Sequence, residues 1–163
     1  MSDTTVLAMD PVGLIALRGP LDVLAPAVEA ETGCARPAQR LSTAANGMRV
    51  MWMSPDELML ICDHAAAPDI AARLTDRLGD AFATVVVVSD ARVLFELTGP
   101  GAVLALASLM PVDFARLDPA EVRRTRMAQI PAAIWREGAA WRVMCFRSVA
   151  RYAETLLRGA VPA

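Results

Sequence analysis

The stretch MWMSPDELMLIC, Met51 to Cys62, holds two apolar runs that a Ser-Pro-Asp-Glu break folds back on each other. Upstream of the break, Met48, Val50 and Trp52 alternate with Arg49, Met51 and Met53, the period of two that sends successive side chains to opposite faces of a strand. Pro55 fixes its own φ and drives Ser54 out of helical geometry. Ser54 to Asp56 therefore turn the chain before Leu58 to Cys62 resume as a second strand. The expected product is a β-hairpin with a longer-than-minimal loop.

A second segment, SDARVLFELTGPGA from Ser89 to Ala102, repeats the alternation: Val93, Phe95 and Leu97 interleave with Arg92, Leu94 and Glu96. Thr98-Gly99-Pro100 then offers a cap and a helix-opening proline for a helix over Pro100 to Leu109. Elsewhere the pattern predicts a strand at Val12 to Leu17, a turn at Arg18-Gly19-Pro20 and a short helix from Pro26 to Thr32 ended by Gly33. Cys34 to Asn46 read as an irregular connection. A helix follows at Asp69 to Leu78, with Ile70, Leu74 and Leu78 on one stripe and Gly79 past its end. Ala83 to Val88 has the β-branched composition of a strand buried on both faces. Strands between Arg124 and Trp135 and at Trp141 to Phe146 precede a last helix, with Ser148 as its expected cap and Val149, Tyr152, Ala153, Leu156 and Leu157 on its apolar side. The chain reads as one domain, 1–163, of two α+β halves, about 1–90 and 91–163, sharing antiparallel sheet.

At 163 residues such a domain buries roughly 70% of its unfolded surface without disulfide or metal staples. Its 55% hydrophobic content and mean hydropathy of +0.40 favour an obligate subunit that reserves surface for a partner, although alanine inflates both figures. A net charge of −2 gives no broad attraction to nucleic acid or to an anionic membrane. No apolar run approaches the ~20 residues of a spanning helix, and the first residues lack the charged start of a signal peptide, so a cytoplasmic protein is expected. Cys34, Cys62 and Cys145 lie far apart with no Cys-x-x-Cys, which points to reduced, buried thiols.

All sixteen basic residues are arginine. With no lysine, neither an internal Schiff base nor a phosphate-loop lysine is available. His64 is the one histidine, expected in a loop, so histidine metal sites and serine–histidine pairs lack material. Gly99-Pro100-Gly101 fails the G-x-G-x-x-G pattern at Leu104, which speaks against nicotinamide or flavin binding by this chain and leaves a helix N-terminus able to take an anion or simply to be capped.

Few constellations remain. Asp56 and Glu57 are adjacent carboxylates at a hairpin tip, expected as solvated turn residues or contacts to a partner, with an acid/base pair as the alternative. Asp90 and Arg92 share a face if extended and are expected to form a structural salt bridge. Arg123, Arg124 and Arg126, with Arg116, make the densest positive patch, suited to gripping carboxylates or to guarding a strand edge. Trp52, Trp135 and Trp141 sit in strand-like segments and are expected in the core.

Several collinear segments resemble the gamma subunit of heterotetrameric sarcosine oxidase: GLIALRGP (Gly13 to Pro20), MWMSPDELMLI, SDARVLFELTGPGAVLAL (Ser89 to Leu106), PVDFARLDPAEVRRTRMAQI (Pro111 to Ile130), AAIWRE, and FRSVARYAETLL (Phe146 to Leu157). The resemblance implies an α+β fold of two ferredoxin-like halves, similar to the folate-binding domain of glycine cleavage T protein. It implies an accessory subunit that supports oxidative demethylation of sarcosine to glycine, docked to alpha, beta and delta subunits. It implies no cofactor on this chain, with FAD, FMN, NAD and tetrahydrofolate on the larger subunits, and it supplies no catalytic or metal-binding residue to transfer. The chain is thus expected to belong to an oxidoreductase without holding a self-contained active site. The competing expectation is a free-standing, aminomethyltransferase-like folate binder, in which Asp56 or Glu57 would accept from the pterin edge and Arg123, Arg124 and Arg126 would hold the glutamate tail.

Overall fold

The structure is a computed structural model and describes residues 4–162. In chain order it contains β1 (Thr5–Ala8), β2 (Gly13–Arg18), α1 (Leu21–Thr32), β3 (Ser42–Ala45), β4 (Met48–Ser54), β5 (Glu57–Cys62), α2 (Ala67–Leu78) and β6 (Thr84–Val87). There follow β7 (Arg92–Thr98), α3 (Ala102–Leu109), β8 (Arg123–Met127), β9 (Ile130–Glu137), β10 (Ala140–Phe146) and α4 (Ala150–Gly159). Two compact units result: residues 11–89 form one, and residues 90–162 with the opening 4–10 form the other. Each carries its own five-stranded sheet, and the strand pairs are antiparallel.

The unit of residues 11–89 has strand order β3-β4-β5-β2-β6. With β3 set aside this is the split β-α-β arrangement of a ferredoxin-like fold, in which each helix crosses over one intervening strand. Ile15, Leu17, Leu58 and Leu60 face Leu24 and Val28 of α1 and Ile70 and Leu74 of α2 in one buried cluster. Leu14, Met51 and Met59 are buried as well, on the opposite face by strand alternation. β2 starts at a glycine because a Cβ at Gly13 would lie 2.5 Å from the Asp63 carbonyl and 2.7 Å from Cys62 Sγ.

Four sequence expectations are corrected here. α1 begins at Leu21, not at Pro26: the Pro20 carbonyl accepts from Val23 and Leu24 at 2.9 and 3.0 Å, and Pro26 is carried inside the helix. The tertiary packing of Leu24 and Val28 outweighs the one backbone bond that Pro26 forfeits. The connection Cys34 to Asn46 contains β3, joined to β4 by Asn46-Gly47 with φ of 53° and 74°, the two-residue turn whose twist suits a hairpin. The β4–β5 turn is minimal, Pro55-Asp56, with the irregularity placed instead as a register shift between Trp52 and Ser54. Finally, β6 is no doubly buried strand. It pairs with β2 alone, and Val86 and Val87 stay exposed while Val85 packs inward.

The other unit has order β1-β7-β10-β9-β8, the same layout with β7, α3, β9, β10 and α4 in the corresponding places. Its fourth strand comes from the chain's beginning: β1 lies antiparallel to β7 with Thr5 opposite Thr98 and Val6 opposite Leu97. Phe95, Leu97, Ile134, Val143 and Trp141 of the sheet bury Ala105 and Leu106 of α3 and Ala153 and Leu157 of α4. Phe114 meets Trp141 edge to face at 5.1 Å. Trp135 and Trp141 are in the core as expected, whereas Trp52 is only half-buried.

Both helix starts differ from expectation. Thr98 remains in β7 and bonds Thr5 through their hydroxyls at 2.7 Å, so α3 starts only at Ala102 and Thr4 Oγ1 accepts from the Gly101 N–H at 2.8 Å. Ser148 does not cap α4, because a short 3-10 turn at Arg147–Val149 carries the chain past it.

Candidate functional site

The residues singled out in the sequence fall at separate places. Asp56 and Glu57 close the β4–β5 turn, in the unit of residues 11–89. Asp56 is exposed, and the Ser54 hydroxyl donates to it at 2.6 Å, holding its carboxyl below the usual range. Its carbonyl accepts from the Gly19 N–H at 3.0 Å and so ties the hairpin tip to the end of β2. Glu57 is not the solvated turn residue that was expected. The antiparallel register sets it opposite Arg18, only 6% of it is exposed, and Arg18 Nη2 donates to Oε2 at 3.1 Å. A carboxylate withdrawn from water needs such a partner, and Glu57 holds β2 against β5 rather than standing as a free acid or base.

Arg123, Arg124 and Arg126 lie on β8, at one edge of the other unit's sheet. Arg123 turns to Glu121, donating from Nε at 2.8 Å and from Nη2 at 2.6 Å, and Glu121 is itself buried. Arg124, Arg126 and Arg116 are exposed. Glu57 and Arg123, two of the five residues of the folate alternative, are thus held in ion pairs within their own units.

Asp90 belongs to a 3-10 turn, Ser89–Ala91, so the extended geometry behind an Asp90–Arg92 pair does not arise. Arg92 instead lies over the Phe146 ring, 3.7 Å from its centroid, and these two residues face each other across β7 and β10. Arg147 Nε donates to the Asp90 carbonyl at 2.7 Å, and Ser89 Oγ accepts from the Leu14 N–H at 3.0 Å. The SDAR and FRS segments therefore meet at one end of a sheet, as a structural lock with an aromatic ring left 45% exposed. His64 is exposed in a turn where Asp63 Oδ1 accepts from Ala65 and Ala66. Cys34, Cys62 and Cys145 are free thiols and buried; burial pushes Cys62 and Cys145 up to about 11. Among the described residues no group of three or more His, Cys, Asp and Glu comes together as a metal site would require, and no helix is long and apolar enough to cross a membrane.

Sequence reasoning missed the ion pairs that span elements. Glu31 at the end of α1 accepts from Arg73 Nε at 2.6 Å and Arg77 Nε at 3.0 Å of α2. Burial alone would raise its carboxyl; the two guanidinium bonds outweigh that and hold it below its ordinary value. The i, i+4 spacing of Arg73 and Arg77 was the available signal. Glu96 of β7 and Arg142 of β10 also pair directly across the sheet.

Fold and site together define a protein of two ferredoxin-like units in which the buried carboxylates Glu57 and Glu121 pair with arginine and an edge strand carries three arginines. Comparison with known proteins gives that class its place. Residues 20–161 match the Sarcosine oxidase, gamma subunit family, and the chain belongs to that family. It is 33% identical to the sarcosine oxidase subunit gamma of Arthrobacter sp over 139 residues, 82% of this chain and 66% of that relative, so it spans just under two thirds of the relative's length. Among solved structures it is similar to a chain of heterotetrameric sarcosine oxidase from Corynebacterium sp. U-96, with a TM-score of 0.88 and 26% identity over 97% of this chain and 83% of that one. Glycine cleavage system aminomethyltransferase T from Bartonella henselae shares the fold at a TM-score of 0.73 and 18% identity, over 97% of this chain and 46% of that one.

Proposed function

We propose that this chain is the accessory, non-catalytic gamma subunit of a heterotetrameric sarcosine oxidase, supporting oxidative demethylation of sarcosine to glycine. The observation that carries the reading is the match to a chain of that heterotetramer along 97% of this chain. On this reading the alpha, beta and delta subunits are its partners. The flavins FAD and FMN, with NAD and tetrahydrofolate, bind to the larger subunits, and this chain completes and stabilises the assembly. The side-chain chemistry agrees: there is no lysine for covalent catalysis, and the one histidine stands exposed in a turn. The assembly works in the cytoplasm, where three unpaired, buried thiols stay reduced.

Co-expression with the alpha, beta and delta subunits tests this. The chain is expected to co-elute with them in size-exclusion chromatography, and omitting it is expected to lower the yield or lifetime of active complex. A chain that elutes alone while the others assemble and turn over sarcosine unaided would refute the reading. Titration of the isolated chain with tetrahydrofolate separates the free-standing folate binder: saturable micromolar binding, lost on changing Arg123, Arg124 and Arg126 together, would favour that alternative.

A further inference from the structure

Among the 163 residues there is one asparagine, Asn46, and it stands before a glycine, Gly47. Asparagine is a thermolabile side chain, and a following glycine, having no side chain, leaves its amide nitrogen open to attack the asparagine's own carboxamide. Both residues are exposed in the β3–β4 turn. A Cβ added at Gly47 would meet nothing within 4 Å, so no neighbour crowds the nitrogen's own residue. The strand pairing stops at Ala45 opposite Met48, which leaves the Gly47 N–H outside the ladder.

The Asn46 carboxamide also fastens the hairpin to α1. Its Nδ2 donates at 3.0 Å to the carbonyl of Thr32, the last residue of that helix. A carbonyl oxygen only accepts, so the amide nitrogen must face it. Gly33 makes the room, since a Cβ there would lie 2.7 Å from Nδ2. The neighbouring tie is a weaker one, a thiol: Cys34 Sγ lies 3.6 Å from the Met48 carbonyl and 3.8 Å from that of Ala45. An aspartate at position 46 keeps the turn, because Asp tolerates the φ of 53° as Asn does, but it loses the donor. It also sets a negative charge against a carbonyl at the negative end of a helix. An isoaspartate adds a carbon to the main chain, so the two-residue turn is lost as well.

We propose that Asn46 is a deamidation site, with water as co-reactant, and that its conversion unfastens the β3–β4 hairpin from the end of α1. With the Thr32 bond open, the Gly47 nitrogen gives its proton to base and attacks Asn46 Cγ. The N–Cγ bond closes a succinimide ring as the Cγ–Nδ2 bond breaks, and Nδ2 takes up a proton and leaves as ammonia. Water then opens the ring at one carbonyl to give aspartate, or at the other to give isoaspartate. The sum is amide plus water to acid plus ammonia, with no oxidant or reductant. A carboxylate cannot re-make the bond to Thr32, so the change is one-way.

The test incubates the folded full chain in mildly alkaline buffer, beside the same chain unfolded in urea and the folded variants Asn46→Gly and Asn46→Asp. Cleavage after Arg40 and Arg49 isolates residues 41–49, where mass spectrometry and isoaspartyl methyltransferase labelling read the two products. Conversion is expected in the folded wild type, slower than in urea, faster as pH rises and absent in Asn46→Gly. In aged wild type and in fresh Asn46→Asp, hydrogen exchange is expected to quicken ~fivefold or more over β3, β4 and the last turn of α1, with β7 and β10 unchanged. Should Asn46→Asp fail to fold, aged wild type carries that comparison. A folded chain that keeps its amide while the unfolded chain converts overturns the proposal. So does conversion that leaves exchange in the hairpin and the end of α1 unaltered.

Discussion

A carboxylate leaving water must find a cation, and in a chain without lysine that cation is arginine. Glu57 keeps its charge under cover through Arg18, whose own side chain is 61% exposed. Arg18→Ala is expected to cost about 1–3 kcal/mol in urea unfolding, because a buried acceptor loses a charged donor. Glu57→Gln in that background should recover part of the loss. Glu31 offers a test by pH. Its folded carboxyl is held below its unfolded value by Arg73 and Arg77, so the stability it contributes is present at neutral pH and is lost as pH falls through the folded value. The stability gap between wild type and Glu31→Gln is therefore expected to be open at pH 7 and to shrink toward about pH 3, read from urea midpoints at each pH. Cys62 and Cys145, with thiols pushed up to about 11 and buried, should react slowly with iodoacetamide in the native protein and fully in urea.

Among the elements, those set by local pattern were readable. The alternation in β4 and β7, the break at Pro55 and the stripe of Ile70 and Leu74 in α2 each predict an element that the structure contains. Elements set by long-range contact were not. β1 and β3 are four-residue strands, TVLA and STAA, too short for a period of two to stand out, although Asn46-Gly47 was a legible hairpin signal beside β3. A valine run says nothing about how many neighbours it has, so β6 read as central when it is an edge. Glu57 looked solvated because its burial depends on the pairing of β5 with β2, thirty-nine residues away in sequence at Arg18. The acid–arginine folate set was composed from side-chain type alone, and two of its members turn out to be engaged already. Close backbone approach is just as silent: Gly13→Ala puts a methyl within 2.5 Å of the Asp63 carbonyl at the start of β2. That substitution is expected to lower stability by about 1–3 kcal/mol, measured by thermal or urea unfolding.

At the scale of the molecule, one layout is used twice, and only the unit of residues 11–89 is continuous in the chain. Deleting residues 1–10 should therefore act unequally. The sheet of β7 to β10 loses its fourth strand and the Thr4 bond to Gly101, whereas the sheet of β2 to β6 loses nothing of its own. Hydrogen exchange is expected to speed up across residues 90–162 and to change little across 11–89. The same arrangement orders events on the ribosome. Thr5 must wait for Thr98, 93 residues later, before it has a partner. At ~5–20 residues per second that is roughly 5 to 20 seconds of synthesis, during which the middle of the chain can close its own sheet. β1 thus stays without its partner strand while the unit of residues 11–89 completes its own sheet, and it can be seated only once β7 has been made.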